Sequence, residues 1–376
     1  MKTRKRIQQH QIHKSLKSKK STTTKPINFL TNPCNTQNKI NVLFCVKTVS
    51  SLRNKIPLFQ YKKRKGNYTF HLNSKKYTIS FNYKMGSGSY ATTWKSTYIS
   101  DTHATDIIVK RPIIDIDKNS FLHEIFIHLL LFCSYKKYSS TLGYIPEIKV
   151  IFRTTKTNIL YGMESLDGTL WDFISDNLEN QQQIYIALKD IVSFLNDLQI
   201  KYKLMHRDFH PGNIMYKKNK KNYQWYFIDF NMCFLTINNK QINEMTKTKH
   251  YHIIHTFNPT HDIRLLFLYI YEHYMNRLPH MLLHYILSLF ENVAHYFPNI
   301  KKKESSEYFF TNHAYGDIVH EYDENFHPKN VLQYLQAMIQ NEYTVTKVEI
   351  NKNIINNNNI FNTYIQTSRN LLNIYL

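Results

Sequence analysis

Glycine is scarce in this sequence: 376 residues hold eight. A cluster of glycines therefore carries information. Cysteine is scarce too, at Cys34, Cys45, Cys133 and Cys233. No pair has zinc-ligand spacing, and four in a chain this long make no disulfide framework, so reduced, intracellular thiols are expected. Long apolar runs are missing. The longest windows, 125–133 and 263–275, are too short to span a bilayer and carry His128, Arg264 and Glu272. The opening MKTRKRIQQHQIHK has no apolar stretch after its charges, which argues against a signal peptide. A soluble protein is expected.

The sharpest absence is of acid. Residues 1–100 contain 21 Lys and Arg and no Asp or Glu, the first acid being Asp101. The rest of the chain is nearly balanced, with 28 basic and 27 acidic residues, so almost all of the net charge of +22 lies in the first hundred. Lys, Asn, Ile, Tyr and Phe are all frequent, a bias that fits AT-rich codons. Codon bias does not explain the missing acids, whose codons are AT-rich as well. An acid-free basic arm over residues 1–65 suits nucleic acid or another polyanion. A solvated tail is the plainer alternative. Residues 1–40 are polar and basic enough to be expected disordered.

From about residue 68 strand patterns begin. Tyr77, Ile79, Phe81 and Tyr83 alternate with polar residues, as in a half-buried strand. YATTWKSTYIS, TDIIVKR, EIKVIFR and NILYGMES are further strand candidates. NSFLHEIFIHLLLFCSY reads as a helix behind a polar cap. The later segments TLWDFISDNL, QQQIYIALKDIVSFLNDLQ, HDIRLLFLYIYEHYM, HMLLHYILSLFENVAHYF and NVLQYLQAMIQ read as helices, and residues 346–376 are Asn-rich. Strands with one helix, then many helices, describe an α+β protein.

Gly86-Ser87-Gly88-Ser89-Tyr90-Ala91 falls between two strand candidates. Glycines let backbone N–H groups approach phosphates, but alone the cluster reads more readily as an ordinary hairpin. A Rossmann turn would need a helix next, and the following residues are β-like. Lys110 ends the apolar run Ile107-Ile108-Val109 and could be a plain strand-end lysine. Glu124, on the helix pattern, could orient a buried Lys110, and Glu147 is a weaker candidate for that role.

The segment Met205-His206-Arg207-Asp208-Phe209-His210-Pro211-Gly212-Asn213 is the informative one, with Asp229-Phe230-Asn231 after it. It resembles the protein-kinase superfamily, whose catalytic loop is H-R-D-x-x-x-x-N and whose metal motif is D-F-G. The resemblance covers roughly residues 75–300. It implies a bilobal fold, with a small β-rich N-lobe (66–164) and a larger helical C-lobe (165–345). It implies ATP and Mg²⁺ as cofactors and a protein substrate bearing Ser or Thr hydroxyls. By position it makes Asp208 the catalytic carboxylate, Lys110 the phosphate lysine, and Asn213 and Asp229 the metal ligands. Gly86, Ser87, Gly88, Ser89 and Tyr90 would cover the phosphates. Backbone groups of Glu164 and Leu166 would meet adenine, and Asp262 would brace the catalytic loop.

The sequence departs from that pattern. Asn231 replaces the glycine of D-F-G, and Asn tolerates left-handed backbone better than most residues. Ala91 replaces a glycine, and A-P-E is absent from 232–260. His210 stands where typical Ser/Thr kinases have lysine. The pattern H-x-D-x-H-x-G-N is similar to haspin-like kinases and to aminoglycoside and choline kinases. The whole resembles divergent kinases of large DNA viruses, which implies host cytoplasm or nucleus. Arg207 favours the protein-kinase side and could pair with a phosphorylated Thr236, Thr246, Thr248, Tyr251 or Thr256. Two other readings stay open: a small-molecule kinase, and a pseudokinase or nucleic-acid-binding scaffold. Nothing in the sequence fixes the oligomeric state.

Overall fold

The computed structural model describes residues 62–64, 67–72, 75–87, 91–100, 103–113, 118–135, 143–153, 159–220, 222–237, 240–242, 257–274, 277–290 and 324–340. Among these, alternation of side chains sets the architecture. Seven strands form one antiparallel sheet: β1 (Lys62–Arg64), β2 (Asn67–Leu72), β3 (Lys75–Ser87), β4 (Ala91–Ser100), β5 (His103–Pro112), β6 (Ile148–Arg153) and β7 (Ile159–Glu164). Their spatial order is β1-β2-β3-β4-β5-β7-β6. Within β5, Ile107 and Val109 pack on one face with Tyr68, Tyr77, Ile79, Tyr98, Val150, Phe152 and Leu160. Ile108 lies on the other face, in the main core. Side chains alternate along a strand, so Lys110 leaves on the Ile108 face.

That face is covered by helix α1 (Lys118–Tyr135). Its residues 121–133 are all buried, as expected of a helix apolar on every side. At Gly162 of β7 an added Cβ would come within 2.8 Å of Ile107 and 2.9 Å of Val150, so the glycine permits close approach of neighbouring side chains.

The other described strands are short. β8 (Gly168–Thr169), β9 (Ile214–Asn219) and β10 (Asn222–Phe227) form a three-stranded sheet, and β11 (Leu235–Ile237) pairs with β12 (Lys240–Ile242). Helix α2 (Leu170–Asp176) starts from a capping box in which Thr169 and Asp172 satisfy each other's backbone N–H groups. Helix α3 (Gln181–Tyr202) buries Ile184, Leu188, Ile191, Leu195 and Leu198 at helical spacing. Helices α4 (His261–Tyr274), α5 (His280–Phe290) and α6 (Pro328–Ile339) complete the core, α6 through Val331, Leu335 and Met338.

The predicted strands and helices map onto these elements; β8 to β12 fall outside the strand candidates named from the sequence, and β1 differs as well. β1 takes Lys62–Arg64, which the sequence assigns to the basic arm, and pairs it with β2. β2 falls where strand patterns were expected to begin, near residue 68: its sequence NYTFHL alternates polar and apolar residues, and it pairs with β3. Cys233 is a free, buried thiol. The rest of the basic arm, Gly88, Ser89, Tyr90, Thr246, Thr248, Tyr251, Thr256 and residues 346–376 lie outside the described residues. No described helix is long and apolar enough to cross a membrane.

Candidate active site

The α1-covered face of the sheet meets the loops around β9 and β10 at Lys110. Its Nζ lies 2.6 Å from Glu124 Oε1, on α1, and 3.2 Å from Asp229 Oδ2, just after β10. Tyr161 of β7 donates its hydroxyl to the same Glu124 oxygen. Glu147, the alternative partner, instead holds Lys149 at 2.8 Å. Burial alone would lower the Lys110 pKa, but Asp229 and then Glu124 outweigh it and hold the ammonium above the ordinary lysine range. Burial pushes the Glu124 carboxyl up, and repulsion from Asp229 adds to that against the pull of Lys110. Asp229 is held below the usual carboxylate range: burial opposes ionisation, but Lys110, His206 and His210 overcome it.

The loop between α3 and β9 brings up the second group. Asn213 Nδ2 donates to the Asp208 carbonyl at 2.9 Å and to Asp208 Oδ2 at 3.2 Å. Those bonds spend the amide nitrogen and leave Asn213 Oδ1 as its remaining ligand atom. His210 Nδ1 accepts from Gly212 N–H at 3.1 Å, and its Nε2 is 3.8 Å from Asp208 Oδ1. Gly212 is required here: a Cβ would come within 2.8 Å of the His210 ring. Burial lowers the His210 pKa, against the pull of Asp208.

Asp262, buried at the start of α4, fixes this loop. Its carboxylate accepts the backbone N–H of His206 at 2.7 Å and of Arg207 at 2.8 Å. His206 Nε2 lies 2.8 Å from the Ile228 carbonyl and so ties the loop to the residue before Asp229. Phe230 is fully buried between His206 and His128, ring centroids 5.5 and 5.4 Å away. Asn231 is buried in the short 3-10 turn that follows.

The expected site residues are thus distributed as follows. Lys110, Glu124 and Asp229 touch, and Asp208 and Asn213 touch. Gly86 and Ser87 end β3 in exposed positions opposite Thr93 and Thr92. Glu164 ends β7 opposite Ile107, and its N–H donates to the Glu147 carbonyl. Leu166, just beyond, is half-buried. Arg207 is directed inward: Nη1 donates to the Met232 carbonyl at 3.4 Å, and the guanidinium lies 5.2 Å from the Phe234 ring centroid. Burial brings its pKa down to about 10. Tyr161, missing from the sequence reading, is one of the closest partners in the cluster.

The oxygen atoms suit a hard divalent cation. Asp229 Oδ1 is buried with no hydrogen-bond partner, and Asn213 Oδ1 is the other candidate ligand. No three His, Cys, Asp or Glu side chains among the described residues form a metal cage.

Residues 134–256 match the family profile of the ABC1 atypical kinase-like domain. The match supports a place in the protein-kinase-like superfamily. It includes Asp208, Asn213 and Asp229, while Lys110 and Glu124 lie before it. No curated protein matches the chain. The described fold is accordingly that of a mixed α/β kinase-like domain, and kinase-like folds generally use ATP and Mg²⁺.

Proposed function

We propose that the chain is an ATP-dependent phosphotransferase of bilobal design (lobes 66–164 and 165–345) that transfers the γ-phosphate to Ser or Thr hydroxyls of a protein. The observation that carries this reading is the contact of Lys110 with both Glu124 and Asp229, beside the Asp208–Asn213 pair. In this reading Lys110 binds the phosphates and Glu124 orients it. Asp208 accepts the proton of the attacking hydroxyl, and Asn213 holds the Asp208 carboxylate in place. Asp229 and Asn213 supply oxygens to Mg²⁺, which when bound neutralises charge on the transferring phosphate. Gly86, Ser87, Gly88, Ser89 and Tyr90 cover the phosphates, and backbone groups of Glu164 and Leu166 meet adenine. The basic arm binds a polyanion such as nucleic acid.

A small-molecule acceptor is the second reading. The absence of A-P-E favours it, because that motif belongs to the peptide-docking surface. Incubation with γ-labelled ATP and either mixed proteins or small hydroxylated and amino acceptors separates the two readings. Asp208→Asn should keep ATP binding and slow transfer by about 10²-fold or more, the usual contribution of a positioned acid–base group. Wild-type turnover in that variant would refute the assignment. ATP binding without turnover in the unmutated chain would leave a non-catalytic scaffold.

A further inference from the structure

We infer that Tyr161 is a positioning residue that docks helix α1 on the sheet through Glu124 and thereby fixes Lys110. The inference rests on the proposed phosphate-binding role of Lys110. It begins from register: Tyr161 of β7 is paired directly opposite Lys110 of β5. Paired residues of neighbouring strands leave the sheet on the same side. Both therefore reach toward α1, and both end on Glu124 Oε1.

The helix side of the contact is equally specific. The Tyr161 ring lies 5.7 Å from Phe121 and 5.9 Å from His128, centroid to centroid. Phe121, Glu124 and His128 are three and four residues apart, so they form one stripe of α1. The tyrosine ring fills the middle of that stripe, and its hydroxyl meets the carboxylate at the centre. Tyr161 is 1% exposed. Phenylalanine would fill that space as well, whereas a buried hydroxyl costs free energy unless it makes a hydrogen bond.

The hydroxyl makes its bond to a carboxylate that burial works against. A second donor on Glu124 favours its charged form beside Lys110. It also spares the lysine from being the only side chain of the sheet that holds Glu124. When phosphate draws Lys110 Nζ away from Asp229, Glu124 stays anchored to the sheet by Tyr161. The helix is therefore held in place by the chain's own core.

The test uses the full chain in four forms: wild type, Tyr161→Phe, Glu124→Ala and the double variant. Mg·ATP affinity is measured by titration calorimetry, and amide hydrogen exchange is followed over α1. Tyr161→Phe should weaken Mg·ATP binding about tenfold, as expected for one lost hydrogen bond to a buried charge. In the Glu124→Ala background the same change should alter affinity less than about twofold, because the hydroxyl then has nothing to act through. A similar loss in both backgrounds would assign Tyr161 a general packing role and overturn the inference, as would unaltered binding in Tyr161→Phe. If wild type binds no ATP, the proposed function fails instead, and exchange then decides. Tyr161→Phe must quicken exchange in α1, and unchanged protection there refutes the docking role.

Discussion

Lys110→Met tests the ion cluster without reference to turnover. Methionine keeps much of the lysine's length and removes its charge. What remains is Glu124, 2% exposed, facing Asp229 with no cation between them. Removing one partner of a buried pair costs about 3–5 kcal/mol. For a chain of this size each kcal/mol lowers the melting temperature by about 2–4 °C. A drop on the order of 10 °C is therefore expected near pH 8.

The pH dependence gives the sharper test. In the wild type, Asp229 has a folded pKa below its ordinary 3.8, so its contribution is present above that value and is lost as pH falls through the lower one. Lys110 has a folded pKa above 10.5, so its contribution is present below 10.5 and is lost as pH rises through the folded value. Neither titrates between pH 5 and 8. Glu124 has a folded pKa above 4.5, so the folded state binds extra proton above that pH and this group's contribution falls as pH rises. Without Lys110 only the Tyr161 hydrogen bond offsets its burial, and that fall becomes steeper and reaches higher pH. Urea unfolding at pH 5 and pH 8 should show the variant's deficit growing with pH. A deficit equal or larger at pH 5 would refute the reasoning.

Three further outcomes are expected. Asp262→Asn should melt several degrees lower and lose most turnover, because the amide NH2 that replaces one carboxylate oxygen would face a backbone N–H of His206 or Arg207 and cannot accept it; a thermal melt within about 1 °C of wild type would contradict the clamp. Phosphatase treatment of a sample shown to be phosphorylated should leave activity unchanged, since the Arg207 guanidinium is turned to the Met232 carbonyl and the Phe234 ring; a large loss would restore the phosphate-receptor reading. Deleting residues 1–60 should spare turnover on a small acceptor and abolish most salt-sensitive binding to DNA or RNA, and equal binding by the truncated chain would dismiss the arm's role.

Much of this was legible in the sequence because it is local. The strand period aims Lys110 at the face that α1 covers, and Glu124 lies on the helix that follows it in sequence. The loop from His206 to Asn213 is a contiguous string, so its Asp208–Asn213 contact needs no distant information. Tyr161 was not legible: its place opposite Lys110 depends on β5 skipping β6 to pair with β7, which no periodicity reveals. β1 was not legible for a related reason, since Lys62–Arg64 has no apolar pattern of its own and is ordered by pairing with β2. The inward turn of Arg207 depends on the Met232 carbonyl and the Phe234 ring, far downstream.

Two backbone angles carry a consequence of their own. Arg207 and Asp229 both have left-handed φ, 65° and 64°, which side chains with a Cβ rarely adopt. In a chain with so few glycines, neither of these positions received one. Each such residue stores on the order of 1–3 kcal/mol, held down by its surroundings. Asp262 grips the first, and Lys110 and the buried Phe230 pin the second. The two loops behave as springs kept compressed, and glycine at either position would relax the chain. Arg207→Gly would be better tolerated by the backbone, and Asp229→Gly would be too, at the loss of the carboxylate that faces Lys110. At Asp229 the relief of about 1–3 kcal/mol is opposed by loss of the ion pair with Lys110, a cost of about 3–5 kcal/mol, so the strained backbone is held by the charge it carries.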